Sequence, residues 1–336
     1  MSEIADAAER ILRGLADPQT LNAATDDAWR APLWQALEES GLTRALLPED
    51  AGGAGLSWAD AMEIARLAGA YALPVPLVET MLAGWLLHQA GIEMPDGAIA
   101  IAPTRRRDSG DRVRQVPFAR DCQHVAWLRG GEVSLYKVAD LDVKPGETLA
   151  RDARDELRPG DAKPVAAGKT NLDLESAIAV GAVARSAQMA GALQKLVDIS
   201  VGYAEERVAF GRPIGKFQAV QHNLARLASE AAAAQAIAAS AAVSLDRSAG
   251  TVDDATWLEA AAAKIRVGEA ASESAAIAHQ VHGAIGFTAE HILYRFTHRL
   301  WAWRDDFDGE AQWADRLGAR VCEAGADALW PTMTAA

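Results

Sequence analysis

Residues 206–222, ERVAFGRPIGKFQAVQH, interrupt two long runs of helix-forming residues and decide how the C-terminal half of the chain is interpreted. The Gly-Arg-Pro-Ile-Gly segment at 211–215 breaks the helix, because glycine allows close backbone approach and proline fixes the local path. Arg207 precedes this break, and Gln218 begins the next helical run. A guanidinium beside the free N–H groups of a helix start suits a phosphate group. A helix–helix turn capped by arginine is the alternative, and these residues alone leave both interpretations open.

A second stretch of the same kind follows at residues 278–291, AHQVHGAIGFTAEH. Gly283 and Gly286 again interrupt a helical run, and Gln280 and His282 stand just ahead of the break. Two such breaks, one bundle helix apart, can face the same ligand, either within one subunit or from two different subunits. His282 by itself is more typical of a packed core histidine than of a catalytic one.

The composition limits the classes of partner. The chain has 336 residues and a formal net charge of −13, which argues against non-specific binding to nucleic acid. No run of apolar residues is long enough to span a membrane, and the acidic, amphipathic N-terminus has no apolar signal core. Cys122 and Cys322 match no metal-ligand spacing. We therefore expect a cytoplasmic protein that contacts no membrane and binds no metal.

The pattern along the chain predicts a mainly α-helical protein in three parts. Residues 1–96 form an N-terminal helical domain, with Ser57 as a helix N-cap, and residues 97–168 form a small β domain. Within the β domain, Gly130-Gly131 is the expected turn of a hairpin. Residues 169–336 form a C-terminal four-helix bundle. Its predicted helical segments are 174–206, 217–247, 252–282 and 289–329.

Three stretches of the chain resemble the acyl-CoA dehydrogenase family. Residues 33–65, LWQALEESGLTRALLPEDAGGAGLSWADAMEIA, are similar to the N-terminal helical domain of the family, and residues 191–228 and 263–291 are similar to its C-terminal bundle. The most specific signal is an Arg-x-x-Phe-Gly-x-Pro-Ile-Gly-x-Phe-Gln string followed by Gln-x-His-Gly. The resemblance covers nearly the whole chain, and it implies the fold of that family.

The resemblance also implies a cofactor, a reaction and partners. The family binds FAD across a subunit interface, oxidises the α,β-bond of an acyl-CoA thioester, and passes electrons to an electron-transfer flavoprotein. A homo- or hetero-oligomer is therefore expected. The implied FAD contacts are Arg207 at the pyrophosphate, Phe210 and Gln218 towards the adenosine, and Gln280, Gly283 and Ala284 in the loop from the adjoining subunit.

The sequence departs from the family in its middle and C-terminal parts. The β domain is short, and the segments that contact the flavin ring in full-length relatives are not recognisable in it. Ala284 replaces the usual second glycine of the C-terminal loop, and its methyl group is either tolerated or pushes the backbone back from the phosphates. The basic run Arg105-Arg106-Arg107 suits either phosphate contacts or a solvated loop.

The catalytic base of the family is missing from its expected position. The family removes the α-proton with a glutamate, and the corresponding residue here, counted from the Gly-Phe pair, is Phe307. A phenyl ring cannot accept a proton. Asp306 and Asp308 are the nearest candidates for the base, and Glu175 lies near the place where a minority of the family carries its glutamate. The alternative for the acidic cluster is a solvated loop or helix start.

Three functional interpretations follow. A shortened chain without its glutamate resembles one half of the heteromeric enzymes that oxidise steroid, bile-acid or other bulky acyl-CoA side chains, so the chain is expected to be a dehydrogenase subunit. A second interpretation is a non-catalytic subunit that stabilises a related dehydrogenase and helps to hold FAD. A third is a self-contained homo-oligomer that uses an unconventional acid.

Overall fold

Five α-helices precede the first strand in the computed structural model, which describes residues 3–103 and 112–334. The predicted cap at Ser57 is confirmed, because its Oγ accepts a hydrogen bond from the Asp60 N–H at 3.0 Å. The last of the five helices is buried on all sides. They are α1 (Glu3–Leu15), α2 (Pro18–Ala23), α3 (Arg30–Glu39), α4 (Trp58–Ala70) and α5 (Leu77–Gln89).

Seven short strands follow, in two sheets. One sheet has the order β1-β3-β4-β7, in which only the β1–β3 pair is parallel, and the other has the antiparallel order β2-β6-β5. The predicted hairpin is confirmed: β3 and β4 pair in register around Gly130 and Gly131, which both have positive φ. The strands are β1 (Ile99–Pro103), β2 (Val113–Pro117), β3 (His124–Arg129), β4 (Glu132–Lys137), β5 (Asp142–Lys144), β6 (Arg154–Arg158) and β7 (Ala166–Lys169).

The larger sheet is buried on both faces because its side chains alternate between two cores. Ile99 and Ile101 of β1 join a core built mainly from helices, whereas Ala100 and Ala102 join a second core with residues of β2 and β6. The first core includes Leu12, from the first helix, and residues from both bundle and strands. The three predicted parts thus share one interior, and the boundaries at 96 and 168 stay predictions.

Long helices form the C-terminal half. The first three predicted segments are confirmed, but the prediction of one continuous helix over 289–329 is wrong. It breaks after Arg304, where Phe307 and Asp308 both adopt positive φ and Trp313 Nε1 donates to the Phe307 carbonyl at 3.0 Å. The elements are α6 (Leu174–Glu206), β8 (Val208–Ala209), β9 (Arg212–Pro213), α7 (Gln218–Arg247), α8 (Asp254–His282), α9 (Leu293–Arg304), α10 (Glu310–Ala324) and α11 (Ala326–Thr334).

Glycines allow α4 and α6 to touch backbone to backbone. A Cβ atom added at Gly69 would lie 1.7 Å from the carbonyl oxygen of Gln188, and one added at Gly191 would lie 1.9 Å from that of Arg66. The N-terminal helices are therefore locked against the bundle through this crossing. In the part of the chain described, no helix is long and apolar enough to cross a membrane.

Candidate functional site

The two glycine-containing breaks lie at the same end of the bundle. Tyr203, in the last turn of α6, stacks on His282, the last residue of α8, with 4.4 Å between ring centroids. The Tyr203 hydroxyl also donates a hydrogen bond to the His282 carbonyl at 3.4 Å. The chain leaves α6 at Arg207 and leaves α8 at Gly283, so the predicted FAD residues of both stretches gather around this contact.

The first break is a tight hairpin that presents an aromatic ring to solvent. β8 and β9 pair antiparallel, and the Ile214 N–H donates to the Arg207 carbonyl at 2.8 Å. Phe210 sits at the tip with φ of +52°, a strained conformation for a residue with a side chain, and 95% of its surface is exposed. Beneath it, the Arg212 guanidinium lies over the Phe217 ring at 4.3 Å from the centroid. The Phe210 ring is therefore accessible to a second molecule.

The remaining predicted FAD residues are also on the surface. Arg207, Gln218, Gln280 and Ala284 are exposed, and their side chains form no ion pair or hydrogen bond with the described residues. Gly283 has φ of +65° and ψ of −143°, which only glycine adopts readily. The bundle end therefore offers a guanidinium, amides and open backbone to a second molecule.

His282 is part of the packing of this end. Burial lowers its pKa to about 4, against a favourable hydrogen bond between Nδ1 and the Ala278 carbonyl at 2.8 Å. Burial also lowers the pKa of His279, which lies between the rings of Phe287 and Trp301. Both imidazoles are neutral at physiological pH. His282 is thus placed as a packed core histidine, as its surroundings in the sequence suggested.

The expected position of the base is closed. Phe307 is 3% exposed, and its ring lies directly on α6: a Cβ added at Gly181 would be 2.2 Å from the Phe307 Cδ1 atom. A cavity of about 20 Å³ remains between this ring and strands β1 and β2. That volume is close to what one water molecule needs, so neither a flavin ring nor a thioester fits beside Phe307 in this chain.

The predicted acids are held by arginines. Asp306 is buried and forms ion pairs with Arg154 and with Arg185, the latter at 3.1 Å. Asp308 pairs with Arg316 at 3.2 Å. Both carboxylates are engaged by guanidinium groups, and neither is free to reach a substrate, so this geometry disfavours both as the base.

Glu175, the other acid considered, pairs with Arg320 on α10 at 3.2 Å and is partly exposed. Glu175 is therefore engaged on the side of α10. The basic run Arg105-Arg106-Arg107 lies outside the described residues.

The centre of the buried region is an ion cluster that the sequence analysis missed. Arg185 of α6 is fully buried and donates to Glu79 Oε1 of α5 at 2.5 Å, to Gln188 of its own helix and to Asp306. The signal was present: a single arginine inside the apolar run VGAVARSAQMAGAL requires a buried acceptor. Glu79 and Asp306 are distant from Arg185 in sequence, so these two partners were not identifiable in advance, whereas Gln188 lies only three residues away on the same helix.

Comparisons with known proteins identify the family. The model for the acyl-CoA dehydrogenase C-terminal domain matches residues 173–302, and the model for the N-terminal domain matches residues 2–94. The acyl-CoA dehydrogenase IpdE2 of Mycobacterium tuberculosis is 32% identical over 297 residues, which cover 84% of this chain and 85% of that protein. The chain belongs to the acyl-CoA dehydrogenase family. Members of this family are flavin-dependent oxidoreductases that act on acyl-CoA.

Solved structures share the fold of this acyl-CoA dehydrogenase family member over almost its whole length. A chain of the ChsE4-ChsE5 complex from Mycobacterium tuberculosis superimposes with a TM-score of 0.84 at 20% identity, covering 97% of this chain and 99% of that chain. A chain of the steroid acyl-CoA dehydrogenase Tcur3481-Tcur3483, in its G363A variant, gives 0.80 at 24% identity, covering 96% and 97%.

The residues present suit FAD at the end of the bundle but not in the buried region around Phe307. At the bundle end, an exposed arginine, an exposed aromatic ring and a glycine backbone suit a dinucleotide. In the interior, Phe307 and the Arg185 ion cluster leave no room for the flavin ring. In its described residues, this member of the acyl-CoA dehydrogenase family thus offers exposed groups that suit a dinucleotide, and no open pocket for a flavin ring beside Phe307.

Proposed function

We propose that this chain is one subunit of a heteromeric, FAD-dependent acyl-CoA dehydrogenase, in which a related partner chain supplies the flavin-ring pocket and the catalytic base. The single observation that carries the proposal is the packing of Phe307 on Gly181 beside the Arg185 ion cluster. A site filled in this way has no place for the substrate, whereas the bundle end stays open to a second chain.

When bound, FAD supplies the acceptor for the hydride that leaves the β-carbon of the acyl group. The role of this chain is to hold the cofactor. The Arg207 guanidinium is exposed and forms no ion pair with a carboxylate of the described residues. It would oppose the charge of the pyrophosphate. The Phe210 ring, fixed outward by its hairpin, would pack against the adenosine portion. Gln218, Gln280 and the backbone at Gly283 and Ala284 would donate hydrogen bonds around it.

The substrate and the electron acceptor are proposals on the same basis. A bulky, steroid-type acyl-CoA is the first substrate to test, because a structurally similar protein is a steroid acyl-CoA dehydrogenase. An electron-transfer flavoprotein is the expected acceptor, and the cytoplasm is the expected location.

The test is to purify this chain alone and together with a partner chain of the same family, and to record the visible absorption of each. We expect a colourless lone chain and a yellow complex whose flavin is bleached by an acyl-CoA. In the complex, Phe210→Ala should lower the flavin content, whereas Trp330→Ala, which removes another exposed aromatic ring, should not. A lone chain that retains flavin and is bleached by substrate would overturn the proposal and establish a self-contained enzyme.

A further inference from the structure

A large cleft opens beside the second glycine-containing stretch, whose Phe287 and Ala289 line it. It measures about 520 Å³ and lies where the segment after α2, the loop between β5 and β6, and helix α9 meet. None of the six predicted FAD residues lines it. Its volume is in the range of small-molecule binding sites, which commonly lie where several structural units meet.

The floor of the cleft is a fixed ion pair. The Arg299 side chain is 4% exposed and donates to Asp152 Oδ1 at 2.6 Å and to the carbonyl of Arg295 at 3.1 Å. Burial raises the pKa of Asp152, while Arg299 opposes that rise. The carboxylate of Asp152 therefore balances the charge of Arg299, and the pair holds α9 against the β5–β6 loop.

Arg295 lines the same cleft without a carboxylate of its own. Its Nε atom is buried and has no hydrogen-bond partner. No carboxylate of residues 3–103 or 112–334 lies within ion-pair distance of its guanidinium. Its polar neighbour is the phenol of Tyr294, which donates to Asn22. Burial, and then the nearby charge of Arg299, lower the pKa of Arg295, whereas the phenol of Tyr294 and the charge of Asp152 oppose that fall. A cation that its surroundings disfavour in this way is stabilised when an anion binds beside it.

The charge balance of the cleft also favours an anion. Arg30 lies 3.5 Å from Asp27 and also 3.5 Å from Asp121, so two carboxylates share its charge. Among the described residues that line the cleft, four arginines (Arg30, Arg151, Arg295 and Arg299) face three aspartates (Asp26, Asp27 and Asp152), which leaves an excess of one positive charge. His298 adds no charge at neutral pH, because burial lowers its pKa, and its Nδ1 lies 3.0 Å from the Leu149 carbonyl.

The walls of the cleft are aromatic. Trp29, Phe287 and Tyr294 all line it, and the ring of Phe287 is well exposed. Flat apolar faces beside an unpaired guanidinium suit a ligand that combines a planar ring with a phosphate group. We propose that this cleft binds a nucleoside phosphate, with its phosphate at Arg295 and Arg151 and its base against the aromatic wall.

Calorimetric titration of the full chain with ADP tests this proposal. We expect saturable binding that Arg295→Gln weakens at least ~10-fold, as loss of a charge-assisted, two-pronged contact implies. Arg129→Gln, on the exposed β3–β4 hairpin away from the cleft, should bind like the unmodified chain. If circular dichroism shows that Arg295→Gln is unfolded, Arg151→Gln replaces it. Arg151 is exposed and its side chain forms no ion pair with the described residues, so this substitution should leave the fold intact.

Further titrations identify the part of the ligand that is recognised. Adenosine should bind much more weakly than ADP, and binding that does not depend on the phosphate would overturn the proposal. Absence of ADP binding, or equal binding by the unmodified chain and both arginine variants, would also overturn it. CoA carries the same adenosine phosphate unit. If CoA competes with ADP, and both depend on Arg295, the ligand is the coenzyme. If ADP binds and CoA does not compete, the ligand is the free nucleotide. ADP is also one half of FAD and can bind at the bundle end, so only binding that Arg295→Gln weakens and Arg207→Gln leaves unchanged is assigned to this cleft.

Discussion

Arg185 determines the chemistry of the interior at the scale of single residues. A guanidinium in the middle of a buried helix is costly to desolvate, and Glu79, Asp306 and Gln188 compensate for that cost by direct contacts. The same guanidinium lies over the ring of Phe307 at 5.9 Å from its centroid. The cluster and the ring therefore fill one volume together, and neither can be removed without exposing the other.

Arg185→Met is expected to destabilise the protein by about 3–5 kcal/mol, because it leaves the buried Glu79 carboxylate without a cation. Urea denaturation measures this loss. Arg13→Met is the control: it removes an exposed ion pair with Glu9 and should lower the unfolding free energy far less than Arg185→Met does. The double variant Arg185→Met/Glu79→Gln should recover part of the stability, and a double variant as unstable as the sum of its parts would contradict the ion-pair explanation.

His282 predicts how stability depends on pH. Its pKa in the folded protein is about 4, below the ordinary value of 6.5, so the unfolded chain binds this proton first as the pH falls. The contribution of His282 to the free energy of unfolding is fully present above pH 6.5. It declines as the pH falls towards 4, by up to about 3 kcal/mol. His282→Asn, which keeps a donor near the Ala278 carbonyl, should flatten the dependence of unfolding free energy on pH over that window.

The exposed His222→Asn variant is the control for this measurement, and it should leave the slope unchanged. His279 and His291 also have pKa values lowered by burial, so the His282 variant should retain part of the slope. A full slope in His282→Asn would mean that this imidazole does not titrate differently in the folded and unfolded states.

At the scale of elements, the contact between α4 and α6 couples the N-terminal helices to the bundle. Gly69→Ala should destabilise the protein by about 1–3 kcal/mol, because its Cβ would lie 1.7 Å from the Gln188 carbonyl and the helices must separate. Gly202 lies on α6, the other helix of this pair, and a Cβ added there has nothing within 4 Å. Gly202→Ala should therefore stabilise the protein by about 0.5–1 kcal/mol. Thermal unfolding distinguishes the two, and a Gly69→Ala variant that gains stability as Gly202→Ala does would disprove close packing at this crossing.

Some elements were predictable from local sequence and others were not. The bounds of α6 and the β3–β4 turn follow from helical periodicity and from a Gly-Gly pair, which are local signals. The break between α9 and α10 contains no proline, and its conformation depends on where Phe307 and Trp313 are buried. Which acid of the Asp-Asp-Phe-Asp run becomes buried depends on Arg154 and Arg185, from other parts of the chain. Tertiary partners, rather than propensity, decide those features.

At the scale of the whole molecule, the closed interior and the open bundle end make separate demands on a partner. In the proposed complex, the partner supplies a pocket and a base, and its cofactor lies within reach of the exposed hairpin at Phe210. Because Arg207 and Phe210 make few contacts within this chain, their removal should leave the fold of the lone subunit unchanged. Association and cofactor binding can therefore be measured separately.

Arg207→Gln in this subunit should lower the FAD content of the purified complex by roughly 10-fold or more at limiting cofactor, since the pyrophosphate loses a charge-assisted contact. The mass of the complex, measured by light scattering, should not change. Arg129→Gln is the matched control, an exposed arginine on the β3–β4 hairpin, and it should retain full flavin. If Arg207→Gln separates the subunits while a small excess of FAD restores nothing, the arginine acts in assembly. If flavin content and mass are both unaffected, the bundle end does not contact the cofactor, and the partner binds FAD without it.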